Sequence, residues 1–276
     1  MMPSRFRRLI LTAFFLGAAA WPAIPLQSAF ALSAIGLSPS EVYLSGKPGT
    51  SAGQEIVISN DGNSAFLYSC YFNDLWHDGE KSSVQELGTF KEHQAGTWLN
   101  CSPNRKLVPA GNAEKANLVA AIPKDAAGDY FALLYAEMRP PEEAMQEGGG
   151  TTTLNMSGRI GVMVVVTALG TEKPQAEILA PQLKAQKKFN VFQANMKNTG
   201  NVHLSGKGTL LLTDAQDRMV AKVDINIPFL FPGQVKPITA TLIDPVAPGS
   251  YKAVLTLASS TQGPSLIKEF SVGFGR

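Results

Sequence analysis

Residues Gly49-Thr50-Ser51-Ala52-Gly53 spell the Gly-x-Ser-x-Gly pattern of a serine nucleophile. That pattern supports acyl transfer only on a sharp strand-to-helix turn that lifts the hydroxyl toward an acid and a histidine. Here it lies between two strand-like segments, so Ser51 is read as a structural residue. The three histidines, His77, His93 and His203, have no His, Cys or carboxylate at metal-ligand spacing. His93 is expected in solvent, and His203 in a packing or hydrogen-bonding role. Glu142 and Glu143 are adjacent in a polar stretch that suits solvation more than acid-base work. No Gly-rich loop carries the lysine of a phosphate site. Asn100-Cys101-Ser102 and Asn155-Met156-Ser157 fit the glycosylation sequon without indicating a glycosylating host. With no catalytic or metal-binding constellation, the reading is a non-enzyme that needs no metal and no cofactor.

The cysteines carry the remaining side-chain chemistry. Cys70 and Cys101 are the only two in the chain. In an exported protein such a pair is expected as a disulfide, the alternative being two buried free thiols. A bridge across those 31 positions would stabilise the fold by roughly 3 to 4 kcal/mol through lost chain entropy. The pair is expected on neighbouring strands, unlike the bridge of a true immunoglobulin domain, which crosses between sheets.

Export is read from the N-terminus. Arg5, Arg7 and Arg8 precede an apolar run over 9–21 and then Ala29-Phe30-Ala31, the order of a secretory signal peptide with cleavage after Ala31; an uncleaved signal anchor is the alternative. No cysteine near that site and no apolar tail encode a lipid or membrane anchor, so a protein without stable membrane insertion is expected in the periplasm, outside the cell or at its surface. The leader holds three of the 24 basic residues and none of the 22 acidic ones, leaving 21 against 22. A near-neutral body without a basic stripe argues against nucleic acid as partner. Lys184, Lys187 and Lys188, the densest basic cluster, suit a solvated edge.

These side chains must be positioned by elements that the chain punctuates twice in one order. Asn60-Asp61-Gly62-Asn63, Pro109-Ala110-Gly111 and Gly128-Asp129-Tyr130 are followed by Asn198-Thr199-Gly200-Asn201, Pro232-Gly233 and Gly249-Ser250-Tyr251. The last two turns of each set lie 17 residues apart in the first copy and 16 in the second. Gly, Asn and Pro mark chain reversals, with strands between them. The first two turns are 51 residues apart in the first copy and 35 in the second, which places an insertion at about 78–96, either a loop or a short irregular helix. Alternating apolar segments, without a helix of a dozen residues, give an all-β chain of two consecutive immunoglobulin-like antiparallel sandwiches. The expected divisions are 32–169, a linker at 170–174 and 175–276. A mobile loop is expected over 140–156, and proteolysis is expected first within 140–153 and next near the linker at 170–174.

The first turn set, taken with Val108 and with Ile122-Pro123-Lys124-Asp125-Ala126-Ala127 ahead of Gly128, resembles the N-terminal domain of WxL-interacting cell-surface proteins. It resembles PapD-like pilus chaperones more loosely. The second set, with Val202-His203-Leu204 and Phe231, is similar to the second domain of the WxL-interacting group. WxL-interacting proteins usually end in a membrane helix, and this chain ends on Phe274-Gly275-Arg276. Pilus chaperones usually hold a subunit's C-terminal carboxylate with an Arg on the first strand and a Lys on the last strand of domain one. Residues 38–44 contain no Arg, and Arg159 matches neither position, so that anchor is not carried over. The resemblance implies a chaperone or assembly factor for pilus-like subunits that works by β-strand addition, with an exported subunit as partner. The alternative is a surface scaffold or adhesive module that binds cell-wall polymer or another surface protein.

The strand closing the first domain bears on that choice. Ile160, Val162, Val164 and Val166, following Arg159, line one face, while Met163 and Val165 keep the other apolar. The closing strand of the second domain has one wet face instead. A strand apolar on both faces is either covered on both or offered to a partner.

Overall fold

Both Asn-x-Gly turns rest on one device, a buried asparagine that ties its turn to the Pro-Gly turn of the same copy. Asn60 Nδ2 donates to the carbonyls of Ser64, Val108 and Pro109 at 2.9, 3.0 and 3.1 Å, and its Oδ1 accepts the Gly62 N–H at 3.1 Å. Asn198 Nδ2 donates to Val202 and Leu230 at 2.7 and 3.1 Å, and its Oδ1 accepts the Gly200 N–H at 3.0 Å. An amide that satisfies several orphan carbonyls in a buried turn is hard to replace, which accounts for the repetition.

The structure, a computed structural model, describes residues 35–79, 81–141, 157–186, 188–244, 246–258 and 264–275. The expected leader with its cleavage at Ala31, and the expected loop beyond Pro141, lie outside these residues. Among the described residues no helix is long and apolar enough to cross a membrane.

Strands dominate the described residues, and they build two sandwiches. In the first, β1 (Ile35–Ser38), β3 (Ser51–Asn60), β8 (Ala113–Ala121) and β6 (Leu99–Ser102) form one sheet in the order β1-β3-β8-β6. The facing sheet is β2 (Glu41–Gly46), β10 (Gly158–Ala168), β9 (Gly128–Arg139), β4 (Phe66–His77) and β5 (Ser82–Gln85), with β7 (Arg105–Val108) also on β4. The second sandwich comprises β11 (Ala176–Ala185), β12 (Asn190–Asn198), β13 (Leu204–Thr213), β14 (Met219–Leu230), β15 (Val235–Leu242), β16 (Gly249–Leu257) and β17 (Leu266–Phe274). Its path is β14-β13-β16-β17-β11-β12-β15, and β17 meets β11 through the single pair Gln182–Gly273. One apolar core fills each sandwich.

Two segments that alternate like single strands each divide at a proline. Ser38-Pro39 separates β1, which pairs with β3, from β2, which runs parallel to β10 in the opposite sheet. Ser102-Pro103 likewise separates β6, on β8, from β7, on β4. Proline lacks the N–H that a continuing ladder would use.

The insertion is mostly loop, with one short strand and a 3-10 turn at its end. Its first part returns as β5 to pair with the end of β4, Asp74 to His77 opposite Gln85 to Ser82. Its last part lies along β9 where β4 has turned away: Phe131 N–H donates to His93 O at 2.8 Å, and Ala95 N–H to Phe131 O at 2.9 Å. Phe90 N–H is held by the buried Asp74 carboxylate at 2.9 Å, and a single 3-10 turn, Gly96–Trp98, leads into β6.

Candidate functional site

β10 lies between β9, which pairs with its whole length, and β2, which pairs only with Met163 to Ala168. The switch of the first strand between sheets leaves Gly158, Arg159, Ile160, Gly161 and Val162 with one edge that carries no ladder partner among the described residues. Five residues at about 3.3 Å each give roughly 17 Å of open backbone donors and acceptors, enough to pair a short strand.

The side chains of β10 are committed elsewhere. Val162, Val164 and Val166 are buried in the core of their own sandwich, with Ile160 half-buried against it. They are not available to fill a groove in another chain without unpacking that core. On the opposite face Val165 is buried with Leu75, Phe131 and Phe231, and Met163, Leu133, Trp76 and Phe229 pack around them. The second sandwich therefore covers this face, and of the expected partner-binding set only Arg159 is exposed.

Beside the open edge Arg159 sits over the Tyr135 ring, its Cζ 4.8 Å from the centroid, and Nη1 donates to the Tyr71 hydroxyl at 3.5 Å. That hydroxyl holds the guanidinium more firmly charged. The Tyr71 and Tyr135 rings lie 5.3 Å apart. Gly161 makes room for the arrangement, since a Cβ there would come within 2.9 Å of Tyr135 Cε1. An open groove of about 310 Å³ lies between Tyr71, Glu137, Ser157, Gly158 and Arg159.

Behind the edge, all three histidines gather where the sandwiches meet, which sequence spacing did not reveal. Asp129, fully buried, accepts Thr167 Oγ1–H on Oδ1 at 2.7 Å. On Oδ2 it accepts both the backbone N–H and the Nδ1–H of His203, at 2.7 and 2.5 Å. His203 stacks on Phe229 at 4.8 Å. Tyr43 of β2 lies 5.8 Å from His203 and donates to Glu41 at 2.9 Å; burial, and then that hydrogen bond, push its pKa up to about 12. His93, expected in solvent, is instead stacked on Trp76 at 5.0 Å and donates from Nδ1 to Asp129 O at 2.7 Å. His77 donates from Nε2 to Pro232 O at 2.8 Å while Nδ1 accepts the Gly79 N–H at 2.9 Å, so both ring nitrogens are engaged. Each ring serves packing and hydrogen bonding. Among the described residues no group of three His, Cys, Asp or Glu could hold a metal ion.

The cysteines correct a second expectation. Cys70 is on β4 and Cys101 on β6, in opposite sheets, so a bridge between them would cross the sandwich. Both are free thiols: the interaction with Cys101, and then burial, push Cys70 up, while the same interaction draws Cys101 down against the effect of burial. Where the carboxylate anchor of a pilus chaperone would be sought, the β2–β10 ladder pairs Glu41 with Met163 and Tyr43 with Val165. No basic side chain stands there.

At the level of sequence, neither a family description nor a curated protein matches the chain. Among solved structures, the class 5 fimbriae chaperone CfaA is similar at a TM-score of 0.53 and 13% identity, over 85% of this chain and 98% of its own. A chain from the chaperone–tip adhesin complex of CFA/I fimbriae biogenesis is similar at 0.51 and 14% identity, over 85% and 97%. The likeness is one of fold: the chain shares the two-sandwich architecture of these structures.

Proposed function

We propose that this chain is an exported, non-enzymatic binding protein, a chaperone or assembly factor that captures an exported protein subunit by β-strand addition. The observation that carries the reading is the edge of β10 at Gly158 to Val162, which has no ladder partner among the described residues because β2 joins the strand only from Met163 onward. An extended segment pairing there gains main-chain hydrogen bonds that the described residues leave unmade. The fold supports the reading, since fimbrial chaperones share it. The valines of β10 supply the rigid, packed strand, and the backbone edge does the binding.

The test is capture of envelope proteins by the purified chain, read together with amide exchange. Slowed exchange at 158–162 in the complex is expected. Ile160→Lys, which sets a charge on the edge at a half-buried position, is expected to lose capture while keeping a cooperative melt. Unchanged exchange at 158–162 in a complex that forms, or full capture by the lysine variant, removes strand addition.

A further inference from the structure

We propose that Arg159 selects the strand that docks, by pairing with an Asp or Glu on that strand's outward face. This rests on the strand-addition reading. A strand laid along Gly158 to Val162 alternates its side chains between two faces. Inward residues would adjoin Ile160 and Val162 and so must be apolar, whereas outward residues meet Arg159 and the bare Gly161. Cross-strand neighbours stand about 4.5–5.5 Å apart at Cβ and diagonal ones about 7–8 Å, within reach of an arginine.

Local charge determines what that outward residue should be. Glu137 lies opposite Arg159 in the β9–β10 ladder, but its Oε1 is taken by Arg139 Nε at 3.2 Å. Among the described residues Arg159 is thus the surplus charge of this surface. Stacking on Tyr135 and the long contact to Tyr71 orient the guanidinium, and its other donors meet no acceptor among the described residues. A planar fork with free N–H groups, set beside a groove of about 310 Å³, matches a carboxylate in geometry and sign.

The test is selection of a random decapeptide phage library on the full chain and on Arg159→Ala, followed by fluorescence anisotropy with the enriched peptides. The wild-type chain is expected to enrich alternating apolar decapeptides with Asp or Glu at one outward position. Arg159→Ala should enrich the same alternation without the acid. The acidic peptide should bind Arg159→Ala about fivefold more weakly than wild type, a gap that narrows in high salt. Arg159→Lys should recover only part of it, because an ammonium lacks the fork. Apolar alternation without acid enrichment on the wild type, or equal acid enrichment on both chains, overturns the role of Arg159 and leaves strand addition standing. If no alternating peptide is enriched, or if the peptides bind Ile160→Lys as well as wild type, both readings fall.

Discussion

Asp129 accepts three hydrogen bonds, two of them from His203 across the junction of the sandwiches, and is shielded from water. Removing one partner of such a buried set costs more than the set contributes, because the others are left desolvated and unpaired. Asp129→Ala is expected to lower stability by about 3 to 5 kcal/mol in urea unfolding. A loss below about 1 kcal/mol would show that water replaces the carboxylate and that the site is not sealed. Val164 poses a different problem, since its side chain is fully buried in the core of the first sandwich. Val164→Glu is expected to yield no cooperative thermal transition, because an unpaired carboxylate cannot be accommodated there. Lost partner capture in that variant would report on the core, which is why the edge is tested at Ile160 and Arg159. A Val164→Glu chain that melts cooperatively near the wild-type temperature would contradict the packing described for β10.

The strands that were legible in the sequence are those with one buried face. β3 and β8 alternate, with Ile56 and Ile58 inward on one and Ala116, Leu118 and Ala120 inward on the other, as period-two patterning requires. The divisions at Pro39 and Pro103 were not legible, because each half keeps the alternation while changing sheet. β11 is not legible either. Pro181 interrupts it, and its ladder with β12 shifts register between Leu179 and Gln182, so no clean period survives. The cysteine pair suffered from the same blind spot: spacing brought Cys70 and Cys101 together, but not their placement on opposite sheets. Of the two thiols Cys101, lowered by its interaction with Cys70, is the better nucleophile. In protein recovered from an oxidising compartment no thiol is expected to titrate until reductant is added, and reduction should cost about 3 kcal/mol of stability. Two thiols titrating in denaturant without reductant would leave the pair as a buried dithiol.

At the scale of the whole molecule, the sandwiches are joined by more than a linker, and the insertion forms part of the joint. Near the linker, Asp129 N–H donates to Asn201 O at 2.9 Å, and Gly128 leaves no space for a Cβ, which would lie 2.1 Å from that same oxygen. Residues 170–174 are themselves held, with Lys173 N–H on Asn201 Oδ1 at 2.7 Å and Asn201 Nδ2 on Thr171 O at 2.9 Å. Their expected early proteolysis is therefore expected only once the joint opens. Elsewhere in the joint, the β4–β5 hairpin reaches the second sandwich through His77 on Pro232 O and through Val235 N–H on Gly79 O at 3.3 Å. Phe231 stands between, nearly buried, with the rings of Trp76, His77, Phe131 and Phe229 within 6 Å. Phe231→Ala removes a ring that belongs to the joint and to neither sandwich core, so its cost of about 3 to 5 kcal/mol should fall on the coupling between them. The wild-type chain is expected to unfold in one transition and to resist cleavage at 170–174, whereas Phe231→Ala should unfold in two steps and be cut there early. His77→Ala should move the same way by a smaller amount, since it loses the bond to Pro232 but keeps the aromatic contacts of Trp76. If Phe231→Ala still unfolds in one step with the linker intact, the coupling resides in the Asp129–His203 contact, and the insertion does not brace the joint.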